Sequence, residues 1–398
     1  MNTQVQKLYD ISNKHERLII GLMSGTSLDG LDIALCRIRN SGRNTLLDLL
    51  HFATLEYTAD FRKKIRGVFA KREIDQQLLC GLNSFIGIEH AGLVNQALNE
   101  WNMEASRIDL IASHGQTVFH APQILTKDLS LPNSTLQIGD GDHIAVHTGI
   151  ITISDFRQKH VAAGGEGAPL AAYGDYLLFT DNVENRILLN IGGISNFTFL
   201  PHTHSVLKSF ATDIGPGNTM MNQYVATHYG REMDKDGEIA KQGTIHYELL
   251  SALLSEEFLQ QDFPKTTGPE LFNLDYLSRV QQETNTSSLS HPDILATLNV
   301  FSAKAITAAI VKVTEGLENV AVYISGGGIH NPLLMENIRQ DLSLMKIGSM
   351  QQINMNPDAK EACLFALLAN ETVAGNPEHV DNIKNSPAIC MGKISFPY

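Results

Sequence analysis

LIIGLMSGTSLDGLDIALCRI, residues Leu18 to Ile38, decides how the chain is read. An apolar run is followed by Ser24-Gly25-Thr26-Ser27 and Asp29-Gly30, then by a second apolar run that alternates with polar residues. This is the pattern of strand, turn and strand. Glycines let the backbone turn tightly and bring its N–H groups close to an anion, and hydroxyls add donors, so the turn suits a phosphate. Arg186 to Leu200, RILLNIGGISNFTFL, repeats the pattern around Gly192-Gly193. One glycine turn between strands is most often an ordinary hairpin. Its repetition predicts two similar lobes.

The chain has 398 residues, enough for two or three domains, and 43% hydrophobic content, that of an ordinary globular core. Acidic residues outnumber basic ones 43 to 30, a net charge of −13, with no basic block. Nucleic acid and anionic membrane are therefore not expected partners. Cys36, Cys80, Cys363 and Cys390 are scattered without a CxxC or Cys/His cluster, which fits free thiols in a reducing compartment rather than zinc. No apolar stretch of about 18 residues is evident, and MNTQVQKLYDISNKHER at the start is polar and charged. A cytoplasmic protein with a lightly docked first fifteen or so residues is expected.

Along the chain, elements alternate as in an α/β protein with mixed sheets. Residues 59 to 104 read mostly as helix, with an amphipathic pattern at Ile86, Ile88, Leu93, Val94 and Leu98. Ile108 to His120 reads as a buried strand ending in a turn, Ser113 to Thr117, and STLQIGDGDHIAVHTG as a glycine-rich turn and a helix. ITISDF delivers Asp155-Phe156-Arg157 to a strand's C-terminal end, where ligands of open α/β sheets lie. AAGGEGAPL, residues 162 to 170, is a flexible connection, and the change of lobe is expected between about 155 and 185. We divide the chain into an N-terminal lobe, 17–160, joined by part of 362–398, and a C-terminal lobe, 161–361.

In the second lobe FATDIGPGN, Phe210 to Asn218, puts Asp213 at the end of a strand-like run, before a turn and a helix. The carboxylate is placed to take a proton or orient water, and the turn's N–H groups to meet a phosphate. SGGGIHN, Ser325 to Asn331, and a C-terminal helix from about Ala359 complete the pattern. Each glycine segment alone also reads as a plain tight turn.

GLMSGTSLDGLDIAL, SHGQTVFH, LQIGD, DFR with AAGGEGAPL, LLNIGGISN, DIGPGN, PKTTGPELFN and SGGGIHN, in this order, resemble the 1,6-anhydro-N-acetylmuramic acid kinase family over nearly the whole chain. The resemblance implies two ribonuclease-H-like lobes of the actin, hexokinase and heat-shock ATPase superfamily around a cleft that closes on substrate. It also implies ATP and Mg2+ as cofactors and a sugar as substrate, with homodimerisation as an option. The implied reaction opens the 1,6-anhydro bridge with water and phosphorylates O6, giving N-acetylmuramic acid 6-phosphate and ADP in peptidoglycan recycling. Asp213 matches the base that activates water. Arg157 and Glu361 match substrate-contacting residues, and His114 is expected to line the cleft beside them. The nucleotide is expected against Gly25, Thr26, Ser27, Leu28, Asp29, Gly30, Leu31 and Asp32, against Gly192, Gly193, Gly215, Gly217 and Asn218, and against Gly326, Gly327, Gly328 and Asn331.

Other readings stand beside these. Asp29 and Asp32 also fit plain turn and strand-edge acids; with Thr26 and Ser27 beside them a nucleotide or magnesium role is preferred, and the metal ligands are left open. His114 and His120 lack a third metal ligand at suitable spacing. Asp155 and Arg157 also fit a simple ion pair, and Lys265 fits either a substrate contact or a loop cover. Where the family usually has an aspartate, this chain has His160, and where it usually has a glutamine, Glu166. Ala171-Ala172-Tyr173 likewise replaces a valine-proline-aromatic stretch. The two polar changes read as a rearrangement of charge near the sugar, with Glu166 paired to His160. A kinase for a different sugar and a non-catalytic ATP sensor are the alternatives; the sensor has no need of Asp213, Arg157 and Glu361 together.

Overall fold

The stretch from Leu18 folds as the quoted pattern requires. β1 (Glu16–Ser24) and β2 (Gly30–Arg39) pair antiparallel from Glu16↔Arg39 to Ser24↔Leu31 around the Gly25–Asp29 tip. β3 (Leu46–Glu56) continues the meander, and β4 (Leu110–Ala121) lies parallel to β1 on its other side. β5 (Ser134–Ile138) folds back on β4, β6 (Thr152–Ser154) runs parallel to β4, and the C-terminal strand Lys393–Ser395 closes that edge. Ile20, Leu22, Leu31, Ile33 and Leu35 are buried with Ile86, Val94 and Leu98 of the helix Gln76–Glu100. Each such side chain contributes about 1.5–3 kcal/mol by leaving water. The helix Lys360–Ala374 packs on β1, and Gly21 permits this, since a Cβ there would strike the Ala362 carbonyl.

This computed structural model describes residues 1–353 and 356–398. It resolves into two units, Met1–Leu178 with Asp358–Tyr398, and Phe179–Pro357. In the second, β7 (Asn185–Ile191), β8 (Ile194–Leu200) and β9 (Phe210–Pro216) form an antiparallel meander. β10 (Val320–Ser325) is parallel to β7, and β11 (Lys346–Ser349) to β10. The order β9-β8-β7-β10-β11 repeats the order β3-β2-β1-β4-β6 of the first unit, with the same strand directions. The duplicated hairpin thus marks a duplicated lobe of ribonuclease-H-like topology.

Several sequence expectations need correction. Along the chain the two units meet at Leu178/Phe179, within the span expected for the change of lobe, and at Pro357/Asp358. Glu361 consequently belongs to the first unit, because its helix packs against β1, β2 and β4. Ser113 to Thr117 is not a turn but part of β4, whose pairing with β1 shifts register there. Asp213 lies in the middle of β9 rather than at its end. Ile88 is exposed while Ile86 is buried. The helix His291–Thr314 is long and apolar enough to cross a membrane, contrary to the reading of composition, and 83% of its most apolar window is buried inside the second unit. The N-terminal residues form the helix Thr3–Ser12, which buries Ile11.

Candidate functional site

The first unit gathers Arg157, His114, Glu361 and Asp32. Asp155 leaves β6 in the left-handed conformation and starts the helix Phe156–Ala162, which carries Arg157 half-buried. Arg157 Nε donates to His114 Nε2 at 2.9 Å and Nη1 to the Gly167 carbonyl at 2.8 Å. Nη2 donates to no described residue. The alternative ion pair with Asp155 does not form, since Asp155 is held by Lys393.

His114 lies buried against the Phe365 ring, centroids 4.9 Å apart. Burial, with Arg157 beside it, pushes its pKa down to about 3, so the ring is neutral and accepts from the guanidinium. Glu361 heads the helix Lys360–Ala374, open to solvent yet ringed by protein. Desolvation raises its carboxyl pKa most, Arg157 pulls it down, and Asp32 pushes it up. Asp32 is also raised, by burial and by Asp358, against a 2.6 Å hydrogen bond from Thr54 Oγ1. A carboxylate group and a single guanidinium therefore share one electrostatic neighbourhood.

At the β1–β2 tip the Thr26 and Ser27 hydroxyls and the Asp29 carboxylate are exposed. Leu28 and Leu31 are core residues, and Gly30 is packed on the Leu55 carbonyl, so these three offer a nucleotide no side chain. Behind the tip, Ser24 Oγ donates to Gln116 Oε1 (2.5 Å), Tyr57 Oη donates to Ser24 Oγ (2.8 Å), and Gln116 Nε2 reaches the Gly25 carbonyl (3.4 Å). This buried support escaped sequence reading because its members are far apart in the chain. A separate hollow of about 650 Å³ beside the middle of β4 and the end of β6 is lined by His114, Gly139, Asp140, Asp155 and Lys393 but not by Arg157, Glu361 or Asp32.

In the second unit Asp213 is half-buried. Its Oδ2 accepts the Thr267 N–H at 3.0 Å, and its own N–H donates to the Lys265 carbonyl at 3.0 Å. No described residue donates to Oδ1. Burial raises its pKa most, the Thr267 N–H lowers it, and Glu270 raises it again. The like charge of Glu270 thus works toward a better base. Neither Thr267 nor Glu270 was singled out from sequence, although both lie in PKTTGPELFN. Lys265 is engaged with the fold: its Nζ donates to the Phe258 and Leu259 carbonyls, at 2.7 and 3.1 Å, over the Phe258 and Phe263 rings, as the loop-cover reading requires.

The turn after Asp213 serves a different partner from the expected phosphate. Gly217 and Thr219 donate their N–H groups to the Gly193 carbonyl, and Asn218 donates its own to Gly192, at 2.8–3.1 Å. These bonds lock the β7–β8 tip to the start of the helix Thr219–Tyr229, and a Cβ on Gly217 would strike the Gly192 carbonyl. Asn218 makes no capping bond there, while Gly193 is exposed. Gly215 has φ +151° and faces Leu259. Gly326, at φ +87°, lies against Asn190 and Ile191, Gly328 is buried, and Gly327 faces open space. Asn331 caps the helix Pro332–Asp341 by accepting the Leu334 N–H. Asn190 lies beside both Gly192 and Gly326 and was missed from sequence. Among the described residues no cluster of three His, Cys, Asp or Glu forms a metal cage.

A duplicated lobe, each copy presenting a glycine tip and a half-buried carboxylate, is an arrangement suited to phosphoryl transfer. The family described as anhydro-N-acetylmuramic acid kinase matches residues 17–395. The anhydro-N-acetylmuramic acid kinases of Pseudoalteromonas atlantica and Pseudoalteromonas translucida are 54% and 51% identical to this chain, each alignment covering 100% of both proteins. That of Caldanaerobacter subterraneus subsp. tengcongensis is 38% identical over 98% of this chain and 100% of its own. The chain belongs to the anhydro-N-acetylmuramic acid kinase family, and it is a kinase.

Proposed function

We propose that the enzyme opens the 1,6-anhydro bridge of 1,6-anhydro-N-acetylmuramic acid with water and passes the γ-phosphoryl group of ATP to O6. The products are N-acetylmuramic acid 6-phosphate and ADP, as cell-wall recycling requires. The observation that carries this reading is the half-buried Asp213 carboxylate, pinned through Oδ2 by the Thr267 N–H with Oδ1 left for water. Asp213 takes a proton from water as its oxygen bonds to the anomeric carbon. The C1–O6 bond breaks, and O6 forms its bond to phosphorus as ADP departs. Charge at C1 is oxocarbenium-like, and the phosphoryl group replaces the usual acid on the leaving oxygen, so positioning and neutralisation dominate. Arg157 and Glu361 hold the sugar, with His114 fixing the guanidinium plane.

The exposed Thr26 and Ser27 hydroxyls of the first unit are the proposed phosphate contacts, and in the second unit the exposed Gly193 and Gly327 offer bare backbone. Mg2+ needs only one or two carboxylates beside phosphate oxygens. Asp29 and Asp32 suit it, Asp32 being crowded by the like charge of Asp358. When bound, it neutralises charge on the transferred group. Incubation with Mg-ATP and a panel of anhydrosugars, read by mass spectrometry, tests the assignment. A 6-phosphorylated, ring-opened muramic product is expected, and turnover of every anhydrosugar except the muramic one would overturn the substrate.

The base must be ionised to work, and its folded pKa is raised. Activity is therefore expected to fall as pH drops through a value above the ordinary aspartate pKa of about 3.9. The acid limb of kcat/KM for the sugar is the measurement, and a limb at or below the ordinary value contradicts the role.

A further inference from the structure

Residues 163 to 170 contain neither helix nor strand, so side chains and isolated backbone bonds must hold them. Gly167 is gripped on both sides of its backbone. Its N–H donates to His160 Nδ1 at 2.9 Å, and its carbonyl accepts from Arg157 Nη1 at 2.8 Å. Residues 157 and 160 are three apart on one helix, a spacing that puts both side chains on the same face. The His160 ring is 2% exposed, meets Tyr173 edge-on at 5.7 Å, and leaves no room for a Cβ on Gly165. Because Nδ1 accepts, the ring is neutral with its proton on Nε2, and Nε2 has no hydrogen-bond partner among the described residues. Burial and Arg157 keep the ring neutral, with a pKa lowered to about 4. Glu166 is exposed, so the pairing expected between it and His160 gives way to the Gly167 contact.

We propose that His160 is a positioning residue for Arg157: by fixing the Gly167 peptide it fixes the carbonyl that orients the guanidinium. The effect on substrate rests on the reading of Arg157 as the sugar-holding cation. His160→Asn keeps an acceptor near the Nδ1 position, whereas His160→Leu fills the space without one. The leucine variant is expected to raise KM for the anhydrosugar about tenfold or more, with KM for ATP within about twofold and the asparagine variant within about threefold of wild type. If the leucine variant does not fold, His160→Ala carries the same expectation.

The Arg157 Nε–H signal in 15N NMR, assigned with Arg157→Lys, reads the coupling without turnover. It is expected to be protected in wild type and in the asparagine variant, and to be lost or broadened in the leucine variant. Unchanged sugar kinetics and an unchanged Arg157 signal in the leucine variant would overturn the proposal, as would an asparagine variant no better than leucine. Arg157→Lys with normal sugar KM would instead overturn the sugar role of Arg157, and the Nε–H signal would still decide the coupling to His160.

Discussion

Replacing Asp213 with asparagine is expected to reduce sugar phosphorylation by roughly 10²–10⁴-fold, the range general-base catalysis supplies, while ATP affinity stays within about threefold. The amide keeps the shape and still accepts the Thr267 N–H, but it cannot take a proton from water. The same substitution has a second consequence. A carboxyl whose folded pKa is raised is bound more favourably by the fold when protonated, so its contribution to stability diminishes as pH rises through the unfolded and then the folded value. At neutral pH the neutral asparagine removes that cost, and Asp213→Asn is expected to melt at a slightly higher temperature than wild type. Steady-state kinetics, calorimetric ATP titration and thermal denaturation check the three parts. Near-normal turnover would remove Asp213 from the chemistry.

Arg157→Ala is expected to lower kcat/KM for the sugar by about 10²-fold or more, because truncating a half-buried, hydrogen-bonded charge costs about 2–5 kcal/mol. Much of that is the cost of what it leaves behind: the Gly167 carbonyl without its donor and Glu361 without its counter-charge. Lysine should restore little. Arg157 uses Nε and Nη1 in two directions while Nη2 has no partner among the described residues, a planar fork that an ammonium cannot reproduce. Comparable kinetics for the wild-type, lysine and alanine proteins would show that the guanidinium does not touch the reacting complex.

Local signals gave the hairpins directly, because strand periodicity, glycine tips and flanking hydroxyls depend on residues close in sequence. The duplication of the lobe followed from their repetition. What stayed hidden depends on tertiary pairing. The amides of Gly217, Asn218 and Thr219 looked available to phosphate, but which donors remain free is settled by the approach of the Gly192-Gly193 carbonyls. Asp213 was placed at a strand's end because the Gly-Pro-Gly run suggests a stop, whereas β9 runs on to Pro216, its register against β8 shifting beside Asp213. Glu361 groups with the first unit because the chain leaves that unit and returns to it, a return that no linker composition marks. Charge complementarity suggested Glu166 for His160, but burial keeps the ring neutral and a backbone N–H takes its acceptor. Thr267 and Glu270 lay inside a recognised motif, yet nothing in the spacing says they fold onto Asp213.

The most direct test of the coupled mechanism is a single-turnover reaction with Mg-ATP and the anhydrosugar in 18O-enriched water, with product positions read by mass spectrometry before anomeric exchange sets in. If the water activated by Asp213 attacks carbon while O6 attacks phosphorus, the label is expected on C1 of the sugar and absent from the transferred phosphate. Label in inorganic phosphate, or a phosphorylated sugar with no label on C1, would contradict the account.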